Sequence, residues 1–292
     1  MKTKSFTLIE LLVVIVIIGI LAGVIIVSTS SSISKANIAK YKVFSESIKN
    51  DLMINLVSEW KFDEGSGSEI KDSWGENHGT LTNGLWKDND ACISKTCLSF
   101  NTSTDYVIVP ENDSLHILEN LTLEMWIYPL DWKSVAGGTP IIDNNLYKFL
   151  HRSSNDVYFF YRIKENTYAC DAAWYYWTGL RSDTLSMNKF HHVVGVMEGN
   201  YLRLYVNGVL VNENGTCFDG YTKETSAVGD TSFSFRLGEN KGILDGVKVY
   251  NAALSTSQIK QEYIAGLNSL LANGSISDEE YSERLNNLAL KF

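Results

Sequence analysis

The sequence is poor in proline, in cysteine and in clustered positive charge. It contains 3 prolines and 4 cysteines in 292 residues, and 34 acidic residues outnumber its 25 scattered lysines and arginines, for a net charge of -9. Because phosphate binding requires gathered Lys and Arg, this balance argues against a nucleic-acid partner. The chain is rich instead in aromatic residues, with 15 Tyr, 12 Phe and 7 Trp, which indicates a folded, β-rich protein rather than a helical bundle.

One long apolar run lies near the beginning of the chain, from Phe6 to Val27, and it contains a single carboxylate, Glu10. A helix of about 22 residues is about 33 Å long, which is enough to cross the hydrocarbon core of a bilayer. Lys2 and Lys4 precede the run, so the N-terminus is expected in the cytoplasm and the rest of the chain outside. A cleaved signal peptide is the alternative, but its apolar region is shorter and rarely contains an acid.

A carboxylate in lipid is disfavoured by about 2.5–3.5 kcal/mol, so Glu10 requires a cation. The stretch KSFTLIELLVVIVIIGILAG resembles the class III signal of type IV prepilins and pseudopilins. The resemblance implies that a prepilin peptidase cuts between Ser5 and Phe6 and methylates the new amine of Phe6. Glu10 then becomes the fifth residue of the mature chain, and its carboxylate docks against the N-terminal amine of a neighbouring subunit. Ser5 departs from the family, which usually has Gly before the cut.

Polar residues follow the apolar run, and then Tyr41, Phe44, Ile48 and Leu52 recur at spacings of three and four. This spacing predicts an amphipathic helix that continues the first one. From about Leu56 the pattern changes to short β-prone runs. We therefore predict five segments: a leader at 1–5, a transmembrane helix at 6–27, its amphipathic continuation at 28–55, a β domain at 56–265 and a C-terminal helical hairpin at 266–292.

The β-prone runs are separated by Gly, Asn, Asp and Ser, which predicts a large antiparallel sandwich. Asn207-Gly208 joins two of these runs, and both residues tolerate the positive φ angles of a type I′ hairpin turn. The runs are VSEWKF, GTLTN, CLSF, DYVIVP, LTLEMWIYP, TPIID, YKFLHR, VYFFYRI, HHVVGVME, YLRLYVNG, VLVNEN, SFRLGEN and ILDGVKVYN.

Several stretches of this region together resemble the laminin-G-like, concanavalin A-like jelly roll. They include WKFDEGSGSEIKDSWGENHGTLTNG, LSFNTSTDYVIVP, FHHVVGVMEGNYLRLYVNGVLV and ILDGVKVYNAALSTSQIKQEY. The resemblance implies an all-β sandwich and, on one sheet, a structural Ca²⁺ held by Asp245 and by oxygen atoms around Asp63 to Gly65. No other cofactor is expected. Gly246 is a departure, because the family usually has Glu after this Asp.

The fold hosts both enzymes and binding modules, so the residues must distinguish them. Related glucanases carry Glu-x-Asp-x-Glu on one strand, which places the carboxylates on one face around the scissile bond. This sequence has no such run, and Glu124 stands alone among apolar residues. His191 and His192 are adjacent and point to opposite faces of a strand, so we expect one packed and one exposed histidine rather than a catalytic pair. The sequence therefore predicts a protein that is not an enzyme.

Four cysteines in an exported chain indicate two disulfides, for which three pairings exist. Cys92 and Cys97 bracket a short loop and pair most economically with each other, which leaves Cys170 with Cys217. No Cys-His spacing is typical of zinc. Trp174, Tyr175, Tyr176 and Trp177 follow Cys170 and are the candidate ligand-binding residues, with loop packing as the alternative role.

Two capping boxes, at Ser255 with Gln258 and at Ser277 with Glu280, predict helices near the end of the chain, with Gly274 as a C-cap between them. This tail is expected either to serve oligomerisation or docking, or to pack on its own sandwich.

These features predict a minor pilin that displays a recognition domain for a glycan or a surface protein. Its expected partners are other pilin subunits, the assembly machinery, the prepilin peptidase and the inner membrane. A pseudopilin of a secretion machine is the alternative hypothesis. A membrane-tethered hydrolase is the third, and the sequence lacks the paired carboxylates that it would need.

Overall fold

The computed structural model describes residues 8–9, 11–19, 52–88, 91–132, 138–152, 155–162, 177–199, 201–214 and 234–289. The chain divides into two units, Met1–Asn50 and Asp51–Phe292. In the first unit, residues 8–9 and 11–19 are helical (α1), and their apolar side chains are exposed. No helix within the described ranges is long and apolar enough to cross a bilayer. Half of the predicted span 6–27 and most of the predicted helix 28–55 lie outside those ranges.

The second unit is a sandwich of two eight-stranded sheets whose strand pairs are antiparallel. Sheet I has the order β14-β13-β12-β7-β16-β5-β4, and β1 pairs with β16. Its strands are β1 (Leu56–Trp60), β4 (Leu85–Asp88), β5 (Thr96–Phe100), β7 (Asn120–Pro129), β12 (His191–Glu198), β13 (Tyr201–Val206), β14 (Val209–Asn214) and β16 (Gly242–Tyr250).

Sheet II has the order β11-β10-β9-β8-β15-β6-β3-β2. Its strands are β2 (Glu69–Ile70), β3 (Gly79–Thr82), β6 (Tyr106–Val109), β8 (Thr139–Asp143), β9 (Tyr147–His151), β10 (Val157–Arg162), β11 (Trp177–Arg181) and β15 (Phe235–Gly238). Every β-prone run predicted from the sequence contains a strand. The sequence patterns missed β2, β4 and β11.

The core lies between the two sheets because alternate residues of each strand point inward. In β7 the inward residues are Leu121, Leu123, Met125 and Ile127, all fully buried. Gly195 of sheet I allows the sheets to approach closely, because a Cβ atom there would lie 2.4 Å from the Phe159 ring of sheet II.

A bulge in β16 determines which residues reach the outer face of sheet I. Asp245 pairs with Trp126 and Lys248 pairs with Glu124, so Gly246 and Val247 together oppose one residue of β7. Gly246 has a φ angle of 54°, which suits glycine and accounts for the departure noted at this position. The extra residue places Asp245 and Lys248 on the same face although their numbers differ by three.

Two helices, α2 (Thr256–Ala272) and α3 (Asp278–Ala289), form a third layer on the outer face of sheet I. The capping box at Ser255 and Gln258 begins α2, as predicted. Tyr263 of α2 stacks on Trp126 of β7 with ring centroids 5.7 Å apart, and a Cβ at Gly266 would lie 2.1 Å from the Trp126 ring. The tail therefore packs on its own sandwich. Helix α2 continues without a break through position 265, where the sequence patterns predicted a boundary.

The Asn207-Gly208 hairpin joins β13 and β14 as predicted. The two residues have φ angles of 52° and 74°, the positive values that a type I′ turn requires. A Cβ at Gly208 would lie 3.0 Å from Leu288 of α3, so the turn also contacts the helical layer.

Candidate functional site

Several predicted site residues lie outside the described residues, and their roles stay predictions. These are Ser5, Phe6 and Glu10 of the prepilin signal, Cys170 and Cys217, and Trp174, Tyr175 and Tyr176. Trp177 is the first residue of β11, where its backbone pairs with Arg162 of β10.

The Cys92–Cys97 disulfide is present, with Cα atoms 5.5 Å apart. The loop that it closes reaches both predicted calcium ligands. The backbone N–H of Ile93 donates to Asp245 Oδ2 at 2.7 Å, and the Ser94 hydroxyl donates to Asp63 Oδ1 at 2.9 Å. Consecutive residues of one loop therefore hold the two carboxylates side by side.

The Asp63 and Asp245 carboxylates form a set of oxygen donors that fits a hard cation. Asp245 is 1% exposed, and burial raises its pKa to about 8, with a further contribution from the charge of Asp63. Lys95 Nζ lies 3.9 Å from Asp63 Oδ2, so one exposed cation already faces this pair, and a divalent cation would add positive charge beside the buried Asp245. The oxygen donors here are the two carboxylates and the Ser94 hydroxyl, while the sulfur atoms of Cys92 and Cys97 are bonded to each other in the disulfide.

A second charged cluster lies on the outer face of sheet I beneath α2, and we call it the buried charge network. It consists of Glu124 of β7, His192 of β12, Lys248 and Tyr250 of β16, and Glu262 of α2. Lys248 Nζ lies 3.2 Å from Glu124 Oε1 and also contacts Glu262. His192 Nε2 lies 3.2 Å from the same oxygen of Glu124.

The electrostatics of this network are those of a structural ion cluster. Burial alone would raise the pKa of Glu124, but Lys248 and His192 hold it at about 2. Glu124 and Glu262 likewise raise the pKa of Lys248 despite its burial. Glu124 is 1% exposed, and His192 is fully buried against the Trp126 and Tyr263 rings, so these groups hold α2 against the sheet and do not face a cleft.

The two adjacent histidines differ from the expectation of one packed and one exposed side chain. Their side chains do occupy different surroundings, but both are buried, at 7% exposure for His191 and 0% for His192. The reason is the helical layer, which covers the face that would otherwise meet solvent. His191 Nε2 lies 2.9 Å from the Ser186 carbonyl oxygen, and Asn207 Nδ2 lies 3.2 Å from His191 Nδ1.

Sequence reasoning also missed a cationic area on the outer face of sheet II. There Arg152 lies over the ring of Tyr158, and Arg181 pairs with the buried carboxylate of Asp156. The available signal is the presence of aromatic residues together with lysine and arginine in YKFLHR and VYFFYR, two runs whose β propensity predicts strands.

Comparison with known proteins identifies two regions of the chain. The family described as the concanavalin A-like lectin/glucanases superfamily matches residues 101–260. The prokaryotic N-terminal methylation motif matches residues 1–26. No curated protein matches the chain.

Solved structures share the fold at low sequence identity. The binding domain of Paraclostridial mosquitocidal protein 1 has a TM-score of 0.59 at 15% identity, over 74% of this chain and 53% of that one. The binding domain of botulinum neurotoxin serotype D has a TM-score of 0.54 at 16% identity, over 74% and 53%. Trypanosoma rangeli sialidase has a TM-score of 0.51 at 16% identity, over 72% and 33%.

The chain spans about half the length of the two binding-domain structures that it matches. At these identities the likeness shows the fold alone. The family match is broader, because residues 101–260 are more than half of the 292-residue chain. Together with its two antiparallel sheets, this match shows that the chain belongs to the concanavalin A-like lectin/glucanases superfamily, with a prokaryotic N-terminal methylation motif at its beginning.

Proposed function

We propose that this chain is a minor pilin that displays its concanavalin A-like domain outside the membrane to bind a glycan or a surface protein. The observation that carries the proposal is the presence of both matches in one chain: a methylation motif at 1–26 and a lectin-like domain at 101–260. The first part inserts the chain into the inner membrane and then into a filament, and the second part is the recognition domain.

In this proposal Glu10 acts during assembly. The prepilin peptidase cuts after Ser5 and methylates Phe6, and the new amine is the cation that the Glu10 carboxylate of a neighbouring subunit requires in lipid. The aromatic residues Trp174–Trp177 are the proposed ligand contacts, and the Cys170–Cys217 disulfide would hold their loop.

Mass analysis of the N-terminus of the assembled protein tests the assignment. We expect a chain that begins at a methylated Phe6; an intact Met1 in the filament would contradict the proposal. Glu10→Gln is expected to reduce filament incorporation at least tenfold, while Glu46→Gln, a control glutamate in the same unit, leaves it unchanged.

A pseudopilin is the competing function, and cell assays distinguish it from an adhesin. Deletion of the gene is expected to abolish attachment to surfaces and to leave protein secretion unchanged. Loss of secretion with normal attachment would support the pseudopilin instead. Turnover of a polysaccharide by the purified chain would overturn the proposal that it is not an enzyme.

We also propose that Asp63 and Asp245 hold a structural Ca²⁺. Calcium at about one hundred times its dissociation constant would add about 2.7 kcal/mol of stability. Thermal unfolding is therefore expected to shift upward with calcium in the native chain and to be insensitive to calcium in Asp245→Asn. Asp131→Asn, a substitution of an exposed carboxylate, is the control and is expected to keep the shift.

A further inference from the structure

The strands β9, β10 and β11 bring positive charges together on the outer face of sheet II. Their register aligns Leu150, Tyr158 and Arg181 across the three strands, and Lys148, Phe160 and Gly179 in the next row. With the adjoining residues 152 and 155–156, this region carries four cations. The described carboxylates that pair with them are Asp156 and, on the neighbouring strand β8, Asp143, whose Oδ2 lies 4.0 Å from Lys148 Nζ. We call the following residues the cationic face: Lys148, Arg152, Tyr158, Phe160, Arg162 and Arg181.

Aromatic rings orient two of the guanidinium groups of the cationic face. Tyr158 and Phe160 stack with centroids 5.7 Å apart and ring planes 6° from parallel. Arg152 Cζ lies 4.6 Å from the Tyr158 centroid and Arg181 Cζ lies 5.9 Å from it. Such cation–π contacts hold guanidinium groups in defined positions before a ligand arrives, which lowers the entropy cost of binding.

A glycine makes room for this aromatic pair. A Cβ atom at Gly179 would lie 2.3 Å from Cδ1 of Phe160, so no larger residue at this position of β11 would allow the Phe160 ring to lie where it does. The stacked Tyr158 and Phe160 rings that contact the guanidinium groups are therefore positioned by the strands of the sheet rather than by a loop.

The positive charges of the cationic face exceed the nearby described carboxylates. Burial lowers the pKa of Lys148, and repulsion from Arg162 and Arg152 lowers it further, although Asp143 opposes the shift. Asp156 is fully buried beside Arg181, whereas the Arg181 side chain is 53% exposed. The carboxylate thus lies inside and the guanidinium reaches solvent, which gives the surface a positive potential on a chain of net charge -9.

We infer that the cationic face binds an acidic polysaccharide, a sugar chain that carries carboxylate or sulfate groups. This inference rests on the proposed recognition function and names its ligand class. Guanidinium groups form paired hydrogen bonds with carboxylate and similar oxyanions. Arg181 lies opposite Tyr158 and Arg162 lies opposite Trp177, so the two arginines are separated by four residues, about 13 Å, along neighbouring strands. Guanidinium groups at separated positions of one face suit a ligand with repeated charges.

One proposed ligand-contact residue belongs to a strand of the cationic face. Trp177, the first residue of β11, pairs through its backbone with Arg162 of β10.

Binding of three polysaccharides to the full chain in a neutral detergent tests the inference. The probes are heparin, which is sulfated, polygalacturonate, which is carboxylated, and dextran, which is neutral. We expect binding to at least one acidic probe, weakening with salt, and no binding to dextran. Which acidic probe binds more tightly distinguishes sulfate from carboxylate as the recognised group.

Substitutions locate the binding. Arg152→Gln with Arg162→Gln is expected to weaken binding of the acidic probe at least tenfold, without a change in the circular dichroism spectrum. The matched control is Arg236→Gln, because Arg236 also lies over a tyrosine ring, 5.0 Å from the centroid of Tyr106, but outside the cationic face. This control is expected to stay within twofold. Arg152→Lys keeps the positive charge but loses the planar guanidinium group and its paired hydrogen bonds. We expect this variant to bind the acidic probe at least threefold more weakly.

Different failures identify different errors. Binding to dextran alone, or acidic-probe binding that survives both Arg152→Lys and the double substitution, would overturn this inference and leave the recognition function intact. Equal affinity for a DNA duplex of the same charge would show an unselective polyanion surface and would also overturn it. Loss of all glycan and surface-protein binding, with normal filament assembly, would overturn the recognition function itself.

Discussion

The outer faces of the two sheets both carry cations and aromatic rings, but the cation is covered on sheet I and reaches solvent on sheet II. On sheet I, two carboxylates, Glu124 and Glu262, neutralise Lys248 beneath α2, and His192, which packs on the Trp126 ring, contacts the same Glu124 oxygen. On sheet II, Arg181 lies beside Tyr158 and pairs with the buried carboxylate of Asp156, and its side chain is 53% exposed. A cation that is covered and neutralised is structural, whereas a cation whose side chain reaches solvent can also contact a ligand.

The comparison predicts that charge removal on sheet I costs folding stability. Glu124→Ala is expected to lower the free energy of unfolding by about 3–5 kcal/mol, because Lys248, whose side chain is 17% exposed, loses one of the two carboxylates that neutralise it. Urea unfolding monitored by tryptophan fluorescence measures the loss. The control is Glu198→Ala, since Glu198 pairs with Arg203 at the surface and should contribute about 1 kcal/mol or less. An equal loss of unfolding free energy in Glu124→Ala and Glu198→Ala would contradict the structural role of the buried charge network.

Two buried histidines, one in each sheet, predict an acid sensitivity. Burial lowers the pKa of both His191 and His151 to about 4, from about 6.5 in an unfolded chain. The unfolded state therefore binds more protons between these values, and stability is lost as the pH falls from 6.5 to 4. Each histidine is expected to contribute roughly 1–3 kcal/mol across this window.

The surroundings of His191 explain why its protonation is disfavoured. The imidazole donates to the Ser186 carbonyl and accepts from the Asn207 amide, so a second ring proton would meet a donor, and Arg284 and Lys189 add repulsion. His191→Gln should flatten the stability–pH curve of the chain by about half, as measured by urea unfolding at several pH values. An unchanged slope would show that the pH response comes from other groups.

The helical layer on sheet I depends on the close approach at Gly266. Gly266→Ala is expected to destabilise the chain by about 1–3 kcal/mol, because the added methyl group would overlap the Trp126 ring. Thermal unfolding measures the change. Ala265→Gly, at the neighbouring position of α2, measures helix propensity alone and should cost about 1 kcal/mol.

The smallest expected effect on stability belongs to sheet II. Arg162→Gln is expected to change the free energy of unfolding by about 0.5 kcal/mol or less, as for most partly exposed positions, while it weakens binding of the acidic polysaccharide. Glu124→Ala is expected to show the opposite pattern, a large loss of folding stability with little change in polysaccharide binding. Measuring both quantities on both variants therefore distinguishes a structural charge from a ligand-binding charge. A large loss of stability in Arg162→Gln would make the cationic face a structural feature.

Much of the fold was predictable because its signals are local. The alternation in β7, the Asn207-Gly208 turn and the Ser255 capping box each depend on a few consecutive residues, and the structure confirms them. The strands β2, β4 and β11 were missed because they are short or polar, and pairing with longer neighbours stabilises them. The Cys92–Cys97 pair was also predictable, since the short loop brings the two sulfur atoms together.

The sequence by itself determined the methylation motif, the β-sandwich and the start of α2, because periodicity, turn chemistry and capping act over a few residues. Only the tertiary structure decided where the charges meet. Lysines and arginines that are scattered along the chain become one cationic face when three strands pair, and Glu124 meets Lys248 across 124 positions of sequence. Charge interactions depend on distance in space, which pairing and packing set and which the order of residues does not show.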